Sequence, residues 1–455
     1  MVALLLATAL AACETRPPVG EVGNVAGAIG AVATEEPSAT LVAQDVLSAG
    51  GSAADAATAA FFTLLVTYPV AVGIGGGGVC VVYDAVSNVA ETLDFQAGIG
   101  AEVPVPATLR GMAALHARYG RLPWAQLIGQ AESNARFGVP MSRALARRVA
   151  DNEAKIRANP GLAEIFVNEQ GKLRTEGEPF RQVALSGLLA AVRSRGVGDL
   201  YGGEAGRALV DAASVAAARL SIDDLRGYRA TWRKTVAVEL DNITFHGSEG
   251  AGAGGGVGLL LRQLPARPDA AAILAASRSA YKGGAGAPSD TGDAGLAVID
   301  RRGQGVACSY TMGRDFGSGT MARASGVVLA ADRPIAEAAL APVVGANMNT
   351  DQAYFAAGAS GGWPAALAVA LTVRRVLDDR ESIEQAVGAP RAAQAGEDAP
   401  VLAETAMAAQ LPGATEVPGL ARVQAVWCSN GGKSDPGLCR GAADPRGFGL
   451  AADGR

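Results

Sequence analysis

The spacing of apolar residues changes several times along this chain, and each change marks an element. Glu36 to Leu47 is a run of helix formers, closed by Gly50-Gly51 as a C-terminal cap. Ser52 caps a second helix, Ala53 to Leu65, and sets Asp55 in its positively polarised first turn; Pro69 ends it. Gly73-Ile74-Gly75-Gly76-Gly77-Gly78 then leads into an apolar strand, Val79 to Tyr83. A glycine run before a strand, rather than between strand and helix, is not a dinucleotide fingerprint. It predicts close backbone packing or a backbone-lined pocket.

Between residues 105 and 230 the spacing is helical, in Leu109–Ala117, Trp124–Arg136 and Gln182–Arg193. Ser221-Ile222-Asp223-Asp224 opens another short helix through a capping box. Val236–Leu240 and Ile243–His246 form a hairpin around Asp241-Asn242, and Gly254-Gly255-Gly256 precedes a helix at Val257–Leu264. Pro265 to Asp290 is a weakly patterned connector, and its tail, Lys282 to Asp290, reads as exposed and mobile. Beyond it, Gly295–Ile299 and Gly305–Thr311 are strands joined by the turn Asp300-Arg301-Arg302-Gly303. Further strands fall at Gly326–Ala330 and Ala353–Ala357, and helices at Ala365–Leu377 and Ile383–Val387. That order predicts an α+β protein, two sheets held between helical layers.

Composition narrows the chemistry. The 455 residues are long enough to bury a large core without a metal or disulfide. Charged residues are 18%, below the usual ~25%, and glycine is abundant at 60, which suits a well-buried sheet with tight turns. Lys plus Arg is 39 against 44 for Asp plus Glu, so the basic excess of a nucleic-acid binder is missing. His116 and His246 are the two histidines, too few for a multi-histidine metal site and a poor supply for a histidine base.

The N-terminal run Val2–Ala12 is apolar, too short to span a bilayer, and stops at Cys13. Leu10-Ala11-Ala12-Cys13 resembles a bacterial lipobox. Residues 1–13 are therefore expected to be a lipoprotein-type signal, with Cys13 lipidated, and residues 14–23 a spacer. The protein would then sit on the periplasmic side of a bacterial envelope, touching the membrane only through its lipid. A short buried helix, or cleavage nearby, is the plainer alternative. Cys428 and Cys439 flank a turn-rich loop and are expected to pair in an oxidising compartment. Cys80 and Cys308 lie in apolar strand-like runs and read as buried small hydrophobes.

An ordered set of short signatures resembles the γ-glutamyltransferases. They are Gly50-Gly51-Ser52-Ala53-Ala54-Asp55-Ala56, Gly73 to Gly78, Leu93-Asp94-Phe95, Val105-Pro106-Ala107-Thr108 and Tyr119-Gly120-Arg121-Leu122-Pro123-Trp124. Asp224-Leu225 with Tyr228 follows, then Thr311 with Phe316-Gly317-Ser318-Gly319, and Gly358-Ala359-Ser360-Gly361-Gly362. Ala386-Val387-Gly388-Ala389-Pro390-Arg391 and Asp444-Pro445-Arg446 complete the series. The resemblance implies an N-terminal-nucleophile hydrolase with an αββα sandwich. It implies a precursor that cuts itself before a Thr, into a large subunit (24–290) and a small one (291–455). It also implies transfer of a γ-glutamyl group from glutathione or a related small-molecule amide to water or an amino acid. The freed Thr would supply hydroxyl and α-amine, so the chemistry needs no cofactor and no His.

Carried over residue by residue, the resemblance makes Gly361 and Gly362 the backbone oxyanion donors and Thr311 the residue that orients the nucleophile. Thr291, at the end of the connector, is expected to be the nucleophile, the plainer alternative being a turn Thr that satisfies local backbone groups. It stands 20 residues before Thr311, two more than the family's usual gap, so gapless matching would put Asp293 there and a local loop would absorb the difference. The substrate positions differ from the family's pattern. Gln96 replaces the Arg that grips the donor carboxylate, and Gly313 replaces an Asn. Ala338-Ala339 replace paired serines, and Asp332 is the nearest acidic residue for the donor α-amine. Losing a bidentate Arg removes much of the recognition of a carboxylate, unless another cation such as Arg314 or Arg323 substitutes. The reading is thus a γ-glutamyltransferase-like acyl transferase or hydrolase. Its alternatives are a catalytically degenerate envelope binding protein, or an amidohydrolase with a different acyl donor.

Overall fold

The computed structural model describes residues 27–98, 103–248, 256–281, 292–331 and 340–454. Its main sheet has twelve strands. The first six are β1 (Gly30–Thr34), β2 (Gly77–Asp84), β3 (Val89–Asp94), β4 (Thr231–Leu240), β5 (Ile243–Ser248) and β6 (Asp293–Asp300). The others are β7 (Gly305–Thr311), β8 (Val343–Asn347), β9 (Gln352–Ser360), β10 (Arg422–Cys428), β11 (Cys439–Ala443) and β12 (Leu450–Gly454). They pair in the order β11-β10-β9-β8-β5-β4-β3-β2-β7-β6-β1-β12. β4 is shared: its first residues pair with β3 and the rest with β5, so the sheet folds over on itself there.

Period-two alternation explains the layers. Leu296, Val298, Val306, Cys308 and Tyr310 point into a core shared with helices, while Ala297, Ile299 and Ala307 face the other half of the sheet. The helices of the first layer include α1 (Pro37–Ser48), α2 (Ala53–Thr67), α3 (Thr108–Tyr119), α4 (Trp124–Phe137) and α5 (Val183–Arg195). The second includes α6 (Val257–Gln263), α7 (Ala270–Ala280), α8 (Ala365–Arg374) and α9 (Ile383–Gly388). This is the expected αββα sandwich. The layer between the sheets is rich in alanine, with Ala31, Ala297, Ala307, Ala346, Ala353 and Ala356, so the two halves approach closely.

Two separated signatures meet at the start of α2. Ser52 and Asp55 form the capping box, and Asp55 also accepts from the Arg121 and Leu122 amides at 2.9 and 3.2 Å. Asp300 and Gln304, from the β6–β7 turn, accept from the Ala53 and Ala54 amides at 3.0 Å each. Every residue of α2 is buried, which is why it contains no charge beyond the capping Asp55.

Three expectations are corrected. The first part of the connector, ahead of the tail 282–290 that lies outside the described residues, contains α7: Asp269 accepts from the Ala272 amide at 2.8 Å, and Ile273, Leu274 and Ala276 are buried. Its alanine-rich sequence lacks the contrast that reveals an amphipathic helix. Gly326–Ala330 is not a full strand; only Val327–Val328 pairs, with Met321–Ala322, while Leu329 makes a single bridge to Gly75. Cys80 and Cys308 are not free thiols. They lie opposite each other on β2 and β7 and form a disulfide across 228 residues of sequence. Cys428 and Cys439 pair as expected, across β10 and β11.

His246 on β5 gives the fold a pH dependence. Its Nδ1 is 2.9 Å from Thr235 Oγ1, its Nε2 is buried without a partner, and burial pulls its pKa down to about 4. The unfolded chain, with a His pKa near ~6.5, binds the proton first. Stability is therefore present above about pH 6.5 and falls as the pH drops toward 4, on the order of 2–3 kcal/mol in all. His246→Gln should flatten that part of a stability profile measured by chemical denaturation. An unchanged slope would mean that other groups dominate.

Candidate active site

The site forms where β6 begins. Asp293, Thr311 and Gly77 stand side by side on β6, β7 and β2. Counting alternately from Ala297 and Ala307 places Asp293 and Thr311 on the inter-sheet face. Across the gap runs β9. A Cβ at Gly295 would come within 2.5 Å of Gly358 O, and one at Gly358 within 2.3 Å of Cys308 O. These two positions admit only glycine, and their backbone-to-backbone contact fixes the end of β9 above the start of β6.

Immediately after β9 the chain turns through Gly361 and Gly362, at φ +99° and +77°. This left-handed conformation favours glycine and aims successive N–H groups into one concavity. Asp293 Oδ2 occupies that concavity, accepting from Gly361 N at 3.1 Å and Gly362 N at 3.3 Å. Asp293 is completely buried. Below, Ser360 Oγ donates to buried Glu35, which also pairs with Arg422 at 3.2 Å, so the glycine turn rests on a fixed base.

The structure thus brings Gly361 and Gly362 together as a donor pair and fills it with Asp293. Thr291 lies outside the described residues, as do Asp332, Ala338, Ala339 and Cys13. Thr311 is adjacent, but its hydroxyl accepts from the Gly313 amide at 2.9 Å, a local turn bond. Gly313, at φ +79°, makes that turn and offers no side chain. The glycines 75 to 78 are packing positions: at each, a Cβ would come within 2.2–2.6 Å of backbone atoms. Among the described residues no group of three or more potential metal ligands occurs.

Gln96 sits behind Gly77, whose Cβ would approach Gln96 Cα to 2.9 Å, and its carbonyl accepts from Tyr228 Oη at 2.9 Å. Of the two cations considered from sequence, Arg323 forms an exposed pair with Glu164 at 2.6 Å, and Arg314 is exposed. The sequence reading missed Arg110, in the first turn of α3. Its guanidinium lies 4.3 Å from the centre of the Tyr201 ring, and its Nε is buried without a hydrogen-bond partner. Burial holds it below its ordinary pKa, and Tyr228 and Arg229 are close enough to act on its charge. Position after Thr108 gave no hint of this; the neighbourhood of Tyr201 and Tyr228 is purely tertiary.

The architecture is that of an N-terminal-nucleophile hydrolase. The cephalosporin acylase of Bacillus halodurans superposes with a TM-score of 0.75 over 96% of this chain and 98% of its own, at 19% identity, a likeness of fold. In sequence, the Gamma-glutamyltranspeptidase family matches residues 39–103 and 96–277, and the chain belongs to that family. Glutathione hydrolase 3 of Arabidopsis thaliana is 29% identical over 237 residues, 48% of this chain and 37% of that protein. The acylase ACY 1 proenzyme of Pseudomonas sp. strain SE83 is 31% identical over 253 residues, 49% and 44%. The chain therefore matches less than half the length of these relatives. The family match ends at residue 277, ahead of β6, so Asp293, Thr311 and the Gly361–Gly362 pair lie beyond it.

Proposed function

We propose that this chain keeps the γ-glutamyltransferase fold as an uncut binding protein for a small γ-glutamyl-type ligand, without acyl transfer. The observation that carries this reading is Asp293 on the Gly361–Gly362 donors. An oxyanion hole works by stabilising charge that develops in the transition state, each donor contributing roughly 3 kcal/mol. A resident carboxylate takes that stabilisation in the ground state, and its charge repels an incoming oxyanion. A carboxylate also cannot make the ester by which a Thr hydroxyl cuts its own chain. Arg110, with an uncommitted Nε and Tyr228 close by, is the cation we assign to the ligand's carboxylate. The setting we propose is the bacterial envelope, through lipid on Cys13.

The second reading is γ-glutamyl transfer or hydrolysis with Thr291 as nucleophile. The relatives favour it, being glutathione hydrolases and an acylase by name. Two residues of extended chain are ~7 Å, so Thr291 would need a local loop to reach the donors that Asp293 holds.

Intact mass after reduction, with release of chromophore from a γ-glutamyl anilide, separates the two. We expect one chain and the same background rate in the wild type and in Thr291→Ala. Two chains parted before Thr291, with turnover lost in Thr291→Ala, would establish the second reading instead.

A further inference from the structure

A cleft of about 260 Å³ opens in the first helical layer, between the start of α5, the segment around Ile165 and the short Met321–Val328 hairpin. None of its lining residues belongs to the site at Asp293. Its apolar side is formed by Ile165, Leu185 and Met321, all nearly buried. Gly326 draws the hairpin against α5: at φ +69°, its Cβ would lie 2.6 Å from the Leu185 amide nitrogen.

Three guanidinium groups and one carboxylate, Glu164, line the same cleft. Arg174 is fixed, its Nε donating to Ile165 O at 3.0 Å and its Nη1 to Pro179 O at 2.9 Å. A guanidinium has five N–H donors, so further donors remain on it. Arg181 makes no hydrogen bond or ion pair among the described residues. Arg323 is held only by its exposed pair with Glu164, a contact that solvent screens. Three positive groups against one negative leave a local formal excess of two, on a chain whose net charge is −5. No side chain caps α5, so its first-turn amides add positive partial charge on the same side.

We propose that this cleft binds a small organic anion, with one carboxylate or phosphate head on Arg174 and Arg181 and a short apolar body against Leu185 and Met321. The volume is close to the lower end of ligand pockets and suits a short chain. Each guanidinium carries the forked N–H donors that such heads take.

Calorimetric titration of the full chain at low salt tests this, with hexanoate, hexyl phosphate and hexanol as probes. At least one anion should bind saturably at a single site, more weakly as salt is added, while hexanol does not bind. Preference for hexanoate or for hexyl phosphate then tells a carboxylate ligand from a phosphate one. Arg181→Gln should weaken binding about tenfold or more, and Arg181→Lys by less, since it keeps the charge and loses the fork. Arg181 is exposed, so neither change threatens folding. Absence of saturable binding by either anion up to about 10 mM, equal binding of hexanol, or full affinity in Arg181→Gln would each overturn the proposal.

Discussion

Asp293→Thr should give a chain that cuts itself between Gly292 and residue 293. The substitution puts a hydroxyl at the first position of β6, on the inter-sheet face beside Thr311. The carbonyl to be attacked, Gly292 O, already accepts from the Met312 amide at 2.7 Å, which polarises it. The hydroxyl adds to that carbonyl carbon, the C–N bond breaks with the proton going to the new amine, and water hydrolyses the ester. The Gly361 and Gly362 donors, released from the carboxylate, become available to an oxyanion, a gain on the order of 3 kcal/mol per donor. Because Cys80 and Cys308 lie on opposite sides of the cut, the disulfide should hold the pieces together. Intact mass should rise by one water without reductant, and two chains should separate only after reduction. Adding Gln96→Arg should then improve γ-glutamyl anilide turnover, by on the order of 1–3 kcal/mol, the range for a charge-assisted hydrogen bond. A variant that stays whole after prolonged incubation, though folded, would mean that Asp293 does not hold the nucleophile's place.

Asp444→Ala should cost about 3–5 kcal/mol of stability, the range for breaking one partner out of a buried ion pair. Asp444 and Arg391 are both buried, 2.8 Å apart, and Arg391 also donates to the Val387, Leu420 and Ala421 carbonyls. Asp444 Oδ2 accepts the Val423 amide at 2.9 Å, which ties the network to β10. Arg446 and Glu404 complete it. Removing the carboxylate leaves the Arg391 charge uncompensated in the interior. The expected readout is a lower denaturant midpoint. Arg143→Ala, which breaks an exposed pair with Glu176, should leave the midpoint where it is. Equal midpoints for Asp444→Ala and the wild type would show that the network contributes no stability.

Local chemistry made much of the architecture legible. Ser52 with Asp55, the Asp300–Gly303 turn and the alternation of Gly305–Thr311 are short-range signals, and each element formed where it was expected. Strands β1, β3, β8, β10, β11 and β12 went unread. β1, β8, β11 and β12 are five residues each and rich in small side chains, so their hydrophobic contrast is weak, and β1 and β12 also find their partners far away in sequence. The disulfide between Cys80 and Cys308 was hidden for the same reason: residue spacing says nothing about which strands become neighbours. By itself, the sequence determined the family's ordered glycine and capping signatures, the layer order and Thr291 as the expected nucleophile. The tertiary structure places the Asp293 carboxylate on the Gly361–Gly362 amides. Backbone contact between Gly295 and Gly358 sets β9 over β6, and that contact joins residues 63 positions apart in the chain, 358 against 295.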